Sequence, residues 1–197
     1  LSNDGEYRLV LDIHGNDQLM SLWVPEKPVR LMLDPGFEVF RRLKRTQIPP
    51  MLNLWVTDGQ RVLAVPHLKV DQNAFKPALD RIYSQDNYLN ELELGSSSPT
   101  GQSILVFGGP AINSSATTIL EWCGSLVSLR KEGFTIREES FKGNDVALLV
   151  TCVNPRDPEH VGVLFFGFSG DAVQSVARLL FFYGWDSYLV FKHGKVI

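Results

Sequence analysis

The stretch ILVFGGPAINSSATTILEW, residues 104–122, sets two glycines between an apolar run and a helical pattern. Backbone N–H groups freed at such a turn, with the positive end of a helix dipole behind them, favour an anion. Gly108, Gly109, Asn113 and Ser114 are therefore the first candidate ligand contacts. The turn matches neither G-x-G-x-x-G nor G-x-x-x-x-G-K-[ST], and it has no lysine to meet a phosphate. A helix cap at Asn113 or Ser114 accounts for the same polar residues without a ligand. Two more turns, around Asn154-Pro155-Arg156-Asp157 and Phe168-Ser169-Gly170-Asp171, share the same sheet edge if the strands before them run parallel to SILVFGG. Open α/β sheets bind ligands at the carboxyl ends of their strands. On that condition Asn113, Asn154, Ser169 and Asp171 converge into a binding site.

Other chemistry is sparse. His14, His67, His160 and His193 stand apart, without HExxH, HxH or CxxC spacing, so no metal site is expected. His160 with Asp157 and Glu159 reads as a solvated loop rather than a ligand set. There is no GxSxG elbow, and Glu138-Glu139 fall on an exposed strand pattern. No catalytic residue and no cofactor follow from these residues. Arg41, Arg42, Lys44 and Arg45 form a basic patch, read as a solvated helix face or as salt bridges at a domain boundary, with an acidic partner surface as the minor reading. LLFFYGW, residues 179–185, reads as helical core packing, with any exposed part a docking face. Cys123 and Cys152 read as two buried thiols in preference to a disulfide.

The composition is that of a globular chain: 197 residues, 44% apolar and 21% charged, with a formal charge of -3. That balance argues against general affinity for nucleic acid or anionic membrane. No apolar run approaches the roughly 18 residues that span a bilayer. The chain opens with LSNDGEYRLV, without Met or a signal-peptide pattern, which predicts a processed product or an excised fragment.

Two patterns of elements emerge. YRLVLDI, LMSLWV and VRLML, separated by Gly/Asn/Asp and Pro turns, predict three short antiparallel strands, the end of a larger β-sandwich. A turn at Asp34-Pro35-Gly36 leads to a helical turn or two over 37–44, stopped by Pro49-Pro50. Residues 1–50 thus form an antiparallel β segment with a connector, and 51–197 a second domain. There, MLNLWV and RVLAVP are apolar runs about a turn at Thr57-Asp58-Gly59-Gln60. A helix over NAFKPALDRIYSQ, capped by Asn73, follows, and then a strand at YLNELEL. SILVFGG is a strand, 114–126 a helix, and FTIREESF with VALLVTCV a hairpin. VGVLFFGF is a buried strand, DAVQSVARLLFFYG a helix capped by Asp171 and ended by Gly184, and YLVF with KVI a last strand or a short hairpin through His193-Gly194. Continuous apolar strands between helices predict an α/β domain, a small flavodoxin-like layered sheet with helices on both faces.

VPEKPVRLMLDPGFEVFRRLKRTQIPPMLN, residues 24–53, resembles a segment near the C-terminus of bacterial proteins related to the M1 (gluzincin) zinc aminopeptidases. The matching positions are Pro28, Leu33, Asp34, Pro35, Phe37, Phe40, Arg41, Arg42, Leu43, Ile48, Pro49 and Pro50. The strand ending in Gly-Gly and the Asn154-Pro155 turn with Pro158 are also similar. Thr46 and Gln47 depart from the acidic residues often found before Ile-Pro-Pro. The zinc motif of that family is absent from these residues. The resemblance therefore implies a non-catalytic C-terminal accessory domain that packs against or gates a catalytic domain of the same parent chain. The alternative function is small-molecule or anion binding by the turns at 108–115, 154–157 and 169–171.

Overall fold

The computed structural model describes residues 7–15, 18–36, 38–39, 43–85, 90–91 and 100–197. The chain divides into two units, Leu1–Arg42 and Leu43–Ile197.

In the first unit no strand forms among the described residues, so the three antiparallel strands expected over 7–33 are absent. A strand is stable only with a ladder partner and a buried face, and these runs have neither. Val10, Leu19 and Val29 are essentially fully exposed, and Trp23 is 80% exposed. The turn at Asp34-Pro35-Gly36 is formed: Asp34, at φ +49°, accepts the N–H groups of Glu38 and Val39 at 2.7 and 3.2 Å. The helix expected over 37–44 lies partly outside the described residues, and its described members Glu38, Val39, Leu43 and Lys44 are not helical.

The second unit is mixed α/β. In chain order it contains α1 (Leu52–Val56), β1 (Val62–Ala64), α2 (Lys69–Gln72), α3 (Lys76–Gln85), β2 (Asn90–Glu91), β3 (Ile104–Phe107) and α4 (Ser115–Cys123). It continues through β4 (Val127–Arg130), β5 (Gly133–Ile136), β6 (Glu139–Lys142), β7 (Val146–Val153) and β8 (Val161–Gly167). It ends with α5 (Gly170–Ala177), β9 (Tyr188–Lys192) and β10 (Lys195–Val196). The main sheet has the order β10-β9-β7-β8-β3-β1-β2. Strands β2, β1, β3 and β8 run parallel, whereas β7 is antiparallel to both β8 and β9. The sheet is therefore mixed, not parallel throughout.

Every residue of β3 is buried, as is nearly all of β7 and β8, so both faces need cover. On one face Leu105, Phe107, Leu149, Val163 and Phe165 meet Leu52 and Trp55 of α1, Leu79 of α3 and Val176 of α5. On the other, Ile104, Val106, Leu148 and Leu164 meet Ile119 of α4 and Phe134 of β5. That second face is covered by one helix and by the antiparallel β4-β5-β6 sheet, where helices had been expected. Gly162 of β8 lets α4 lie close: a Cβ there would stand 2.5 Å from Ile119 and 2.6 Å from Trp122.

Four local expectations are corrected. MLNLWV is helical, because Leu52 and Trp55, one turn apart, bury together and the Trp55 indole donates to the Val62 carbonyl at 2.9 Å. Asn73 is not the N-cap of α3; it is the C-cap residue of α2, with αR backbone. FTIREESF breaks at Arg137, φ +53°, and pairs with itself as β5-β6, so it does not pair with β7. The cysteines are not free: Cys123, at the end of α4, and Cys152, on the covered face of β7, lie 5.2 Å apart at Cα and form a disulfide. Sequence spacing of 29 residues carries no sign of that approach, which tertiary packing creates. Of the aromatic run, Leu180 is buried, while Phe182 and Trp185 are 72% and 76% exposed. No helix among the described residues is long and apolar enough to cross a membrane.

The disulfide joins the helical cover to the central sheet, so its loss releases chain entropy in the unfolded state. The Cys123→Ser/Cys152→Ser double variant is expected to unfold with about 2–4 kcal/mol less stability than the oxidised chain. Urea denaturation followed by tryptophan fluorescence measures this difference.

Candidate functional site

The carboxyl ends of β1, β3 and β8 lie side by side, since Ala64 pairs with Val106 and Phe107 with Phe165. Gly108 sits just beyond β3 at φ +93°, and its N–H donates to the Phe165 carbonyl at 2.9 Å. A side chain there would be strained by that φ and would meet Ile112 at 2.8 Å, with Pro66 next to it at 3.4 Å. The space over the turn is thus filled by the protein's own side chains. Gly109 serves the turn through its carbonyl, which accepts the N–H groups of Ile112 and Asn113, each at 3.0 Å.

Asn113 is buried, and its amide is fully used. Its Nδ2 donates to the carbonyls of Ala64 at 3.0 Å and Phe107 at 2.8 Å, tying the ends of β1 and β3 together. Its Oδ1 accepts the N–H of Ser115 at 3.1 Å and so caps α4. Ser114 is exposed and makes no cap bond. At α5 the cap is Ser169, whose Oγ accepts the Ala172 N–H at 3.1 Å and donates to the Asn144 carbonyl at 2.6 Å. Asp171, expected as the cap, lies exposed in the first helical turn, where its charge complements the helix dipole.

Gly108, Gly109, Asn113, Ser114, Ser169 and Asp171 follow the parallel strands β3 and β8 and so lie at one edge of the sheet, but Asn154 does not. Strand β7 runs antiparallel, and Val153 pairs with Val161 at the start of β8. Asn154 therefore lies at the opposite edge, a strand length of roughly 20 Å from Ser169 at about 3.3 Å per residue. There it is buried, and its Oδ1 accepts the Arg156 N–H at 3.0 Å.

That opposite edge gathers a polar cluster which sequence reasoning missed. Asp58 precedes β1, Ser103 precedes β3, and Asp157 and His160 precede β8, so parallel pairing brings their loops together. The signal in the sequence is that each residue lies in the loop leading into a strand of one parallel set. His160 Nδ1 bonds Asp157 Oδ2 at 2.8 Å, and its Nε2 lies 3.8 Å from Asp58 Oδ2. Asp58 accepts the N–H groups of Gln60 and Ser103, each at 2.8 Å. Asp157 accepts the Gly101 N–H at 2.7 Å, and Ser103 Oγ accepts the Val161 N–H at 3.1 Å. Burial pushes the Asp58 carboxyl up, but the bonds from Gln60 and Ser103 and the nearby His160 outweigh it and hold the pKa below the usual carboxylate range. For Asp157 the Gly101 N–H is the main cause of a lowered pKa; desolvation opposes it and His160 assists.

The order Ser103–Asp58–His160–Asp157 does not make a nucleophile. Both imidazole nitrogens face carboxylates, and the buried Ser103 hydroxyl bonds Asp58, so the histidine's close contacts are to carboxylates and not to a hydroxyl. No cluster of three or more His, Cys, Asp or Glu fit for a metal occurs among the described residues. What the arrangement does is pin three loops across one sheet edge. His160, read from the sequence as part of a solvated loop, is in fact half-buried at the centre of that pin.

Asn113→Ala is expected to cost about 2–4 kcal/mol in urea denaturation, because it leaves two buried carbonyls and a helix N–H unpaired. The two depressed carboxylates add stability that is complete above their unfolded pKa. It falls away as pH drops below about 4 towards their folded values. Asp58→Asn should therefore be less stable than the natural chain at neutral pH, with the gap narrowing below about pH 4 in a pH series of denaturation curves. Neither a protein-family model nor a curated protein sequence matches this chain.

Proposed function

We propose that this chain is a non-catalytic accessory module of a peptidase-like parent, in which residues 7–33 complete a β-sandwich and residues 43–197 supply an α/β domain that packs against or gates the catalytic domain. The observation that carries this reading is the bareness of the first unit. Val10, Leu19, Trp23, Val29 and Leu31 expose 80% or more of their surface on a segment patterned for strands but without a ladder. Burying such side chains is worth about 1.5–3 kcal/mol each, so the segment is built for a partner surface. The exposed Phe182 and Trp185 add a second apolar face in the other unit. The likeness of residues 24–53 to the region following the catalytic part of M1-type aminopeptidases supports the choice of parent. The internal use of Asn113, Ser169 and Asp58 supports a scaffold over a reaction centre, and it tells against the anion-binding alternative at the strand-end turns.

Amide hydrogen exchange tests the proposal. Residues 7–33 should exchange freely in this chain alone and become protected when it is joined to the catalytic region of its parent. Strong protection in the isolated chain would overturn it. So would hydrolysis of aminoacyl-p-nitroanilides by the chain alone, if that activity is abolished by a single substitution that leaves the fold intact.

A further inference from the structure

Arg45 begins a short 3-10 turn, Arg45–Gln47, held by reciprocal bonds: Lys44 N–H donates to Gln47 Oε1 at 2.9 Å, and Gln47 N–H to the Lys44 carbonyl at 2.9 Å. One guanidinium nitrogen, Nη1, donates to the Ile48 carbonyl at 2.8 Å. The other two, Nε and Nη2, are buried and have no hydrogen-bond partner. These two lie on the same edge of the planar group, the edge that grips a carboxylate with two parallel bonds. Unpaired polar groups of this kind are costly inside a protein, and more so when charged. Arg45 lines a cleft of about 450 Å³ whose other walls are Gln47, Ile48, Pro49, Pro50, Val153 and Pro158. A volume of this size accommodates a small ligand.

We propose that this cleft binds a carboxylate carried on a small apolar group, with the Nε/Nη2 edge of Arg45 as the anchor. The walls suit such a ligand. Three of them are prolines, which have no backbone N–H to offer. Gln47 Oε1 is engaged by the Lys44 N–H, and the Ile48 N–H is spent on the Arg45 carbonyl. A carboxylate, with two oxygens in one plane, is satisfied by the two free donors. Inorganic phosphate brings further acceptors to which the three prolines offer no donor, and it has no apolar group for the walls to hold. The apolar walls then hold the substituent. The free edge is shut off from water, so the guanidinium turns about its own side-chain torsions to meet the ligand. The exposed Glu159 exerts an electrostatic pull on Arg45 and is its competitor within the chain. Both a free acid and the C-terminal residue of a peptide carry the required chemistry.

Calorimetry and NMR titration of the whole chain test the site, with N-acetyl-leucine, N-acetyl-leucinamide, a short peptide ending in leucine as free acid or amide, and inorganic phosphate, all at one ionic strength. The acids should bind saturably, and the amides and phosphate at least about tenfold more weakly. Arg45→Lys should weaken the acids by about tenfold or more, since a point charge cannot form the paired bonds. Glu159→Gln should bind them equally well or more tightly. Binding by both acids assigns the site to the carboxylate itself, and binding by the peptide acid alone assigns it to peptide C-termini. The proposal fails if neither acid saturates, if amides or phosphate match the acids, or if folded Arg45→Lys binds unchanged. Should Arg45→Lys not fold, the Arg45 Nε–H resonance of the natural chain decides: it must shift on adding acid and not on adding amide, and an unmoved resonance overturns the proposal.

Discussion

Strand β8 has a parallel neighbour on one side and an antiparallel neighbour on the other, and the rest of the second unit follows from that reversal. Parallel pairing of β8 with β3, and of β3 with β1, puts the turns after these strands on one edge and the turns before them on the other. Antiparallel pairing with β7 sends the loop 154–160 to the second edge. The same central strands are apolar on both faces, so neither face can be left to water. Helices α1, α3 and α5 cover one side. Helix α4, with the small β4-β5-β6 sheet, covers the other, stapled to β7 by Cys123–Cys152.

Polar groups near this core serve the reversal. At the carboxyl edge, Asn113 holds β1 to β3 while capping α4, so a turn that resembles an anion cradle is closed by its own residues. At the amino edge, Asp58, Ser103, Asp157 and His160 bind the loops entering β1, β3 and β8. Buried polar groups are tolerated where their partners are supplied internally, and both edges meet that condition. Arg45, with an unpaired buried edge, does not. That contrast sets the cleft apart from the two satisfied edges.

Much of the fold was legible from local pattern. Strands β3 and β8 stand out as continuous apolar runs, α3 as Phe75, Ala78, Leu79 and Ile82 at helical spacing, and the β9-β10 hairpin through His193-Gly194. The errors share one cause, the absence of tertiary information in a short window. An apolar run such as MLNLWV has no period that separates strand from helix. The alternating FTIREESF shows that one face of a sheet is exposed, but not which sheet it joins. The strand-like first unit has the composition of a sheet, without the ladder that would make one among its described residues.

The candidate site divides in the same way. Residue types and turn chemistry were set by the sequence alone: a glycine turn after β3, a cap at Asn113 or Ser114, and the absence of zinc-binding and nucleophile motifs; that Ser169 and not Asp171 caps α5 came from the structure. Strand direction was decided only by tertiary structure, because a ladder between residues far apart in sequence leaves no local trace. That direction removed Asn154 from the predicted crevice and placed it beside Asp157, His160 and Asp58. It also made a disulfide of two cysteines that looked separate, since 29 residues of chain fold back until their Cα atoms are 5.2 Å apart. Contact between distant residues depends on which faces must be buried together, a property of the whole core that no single segment carries.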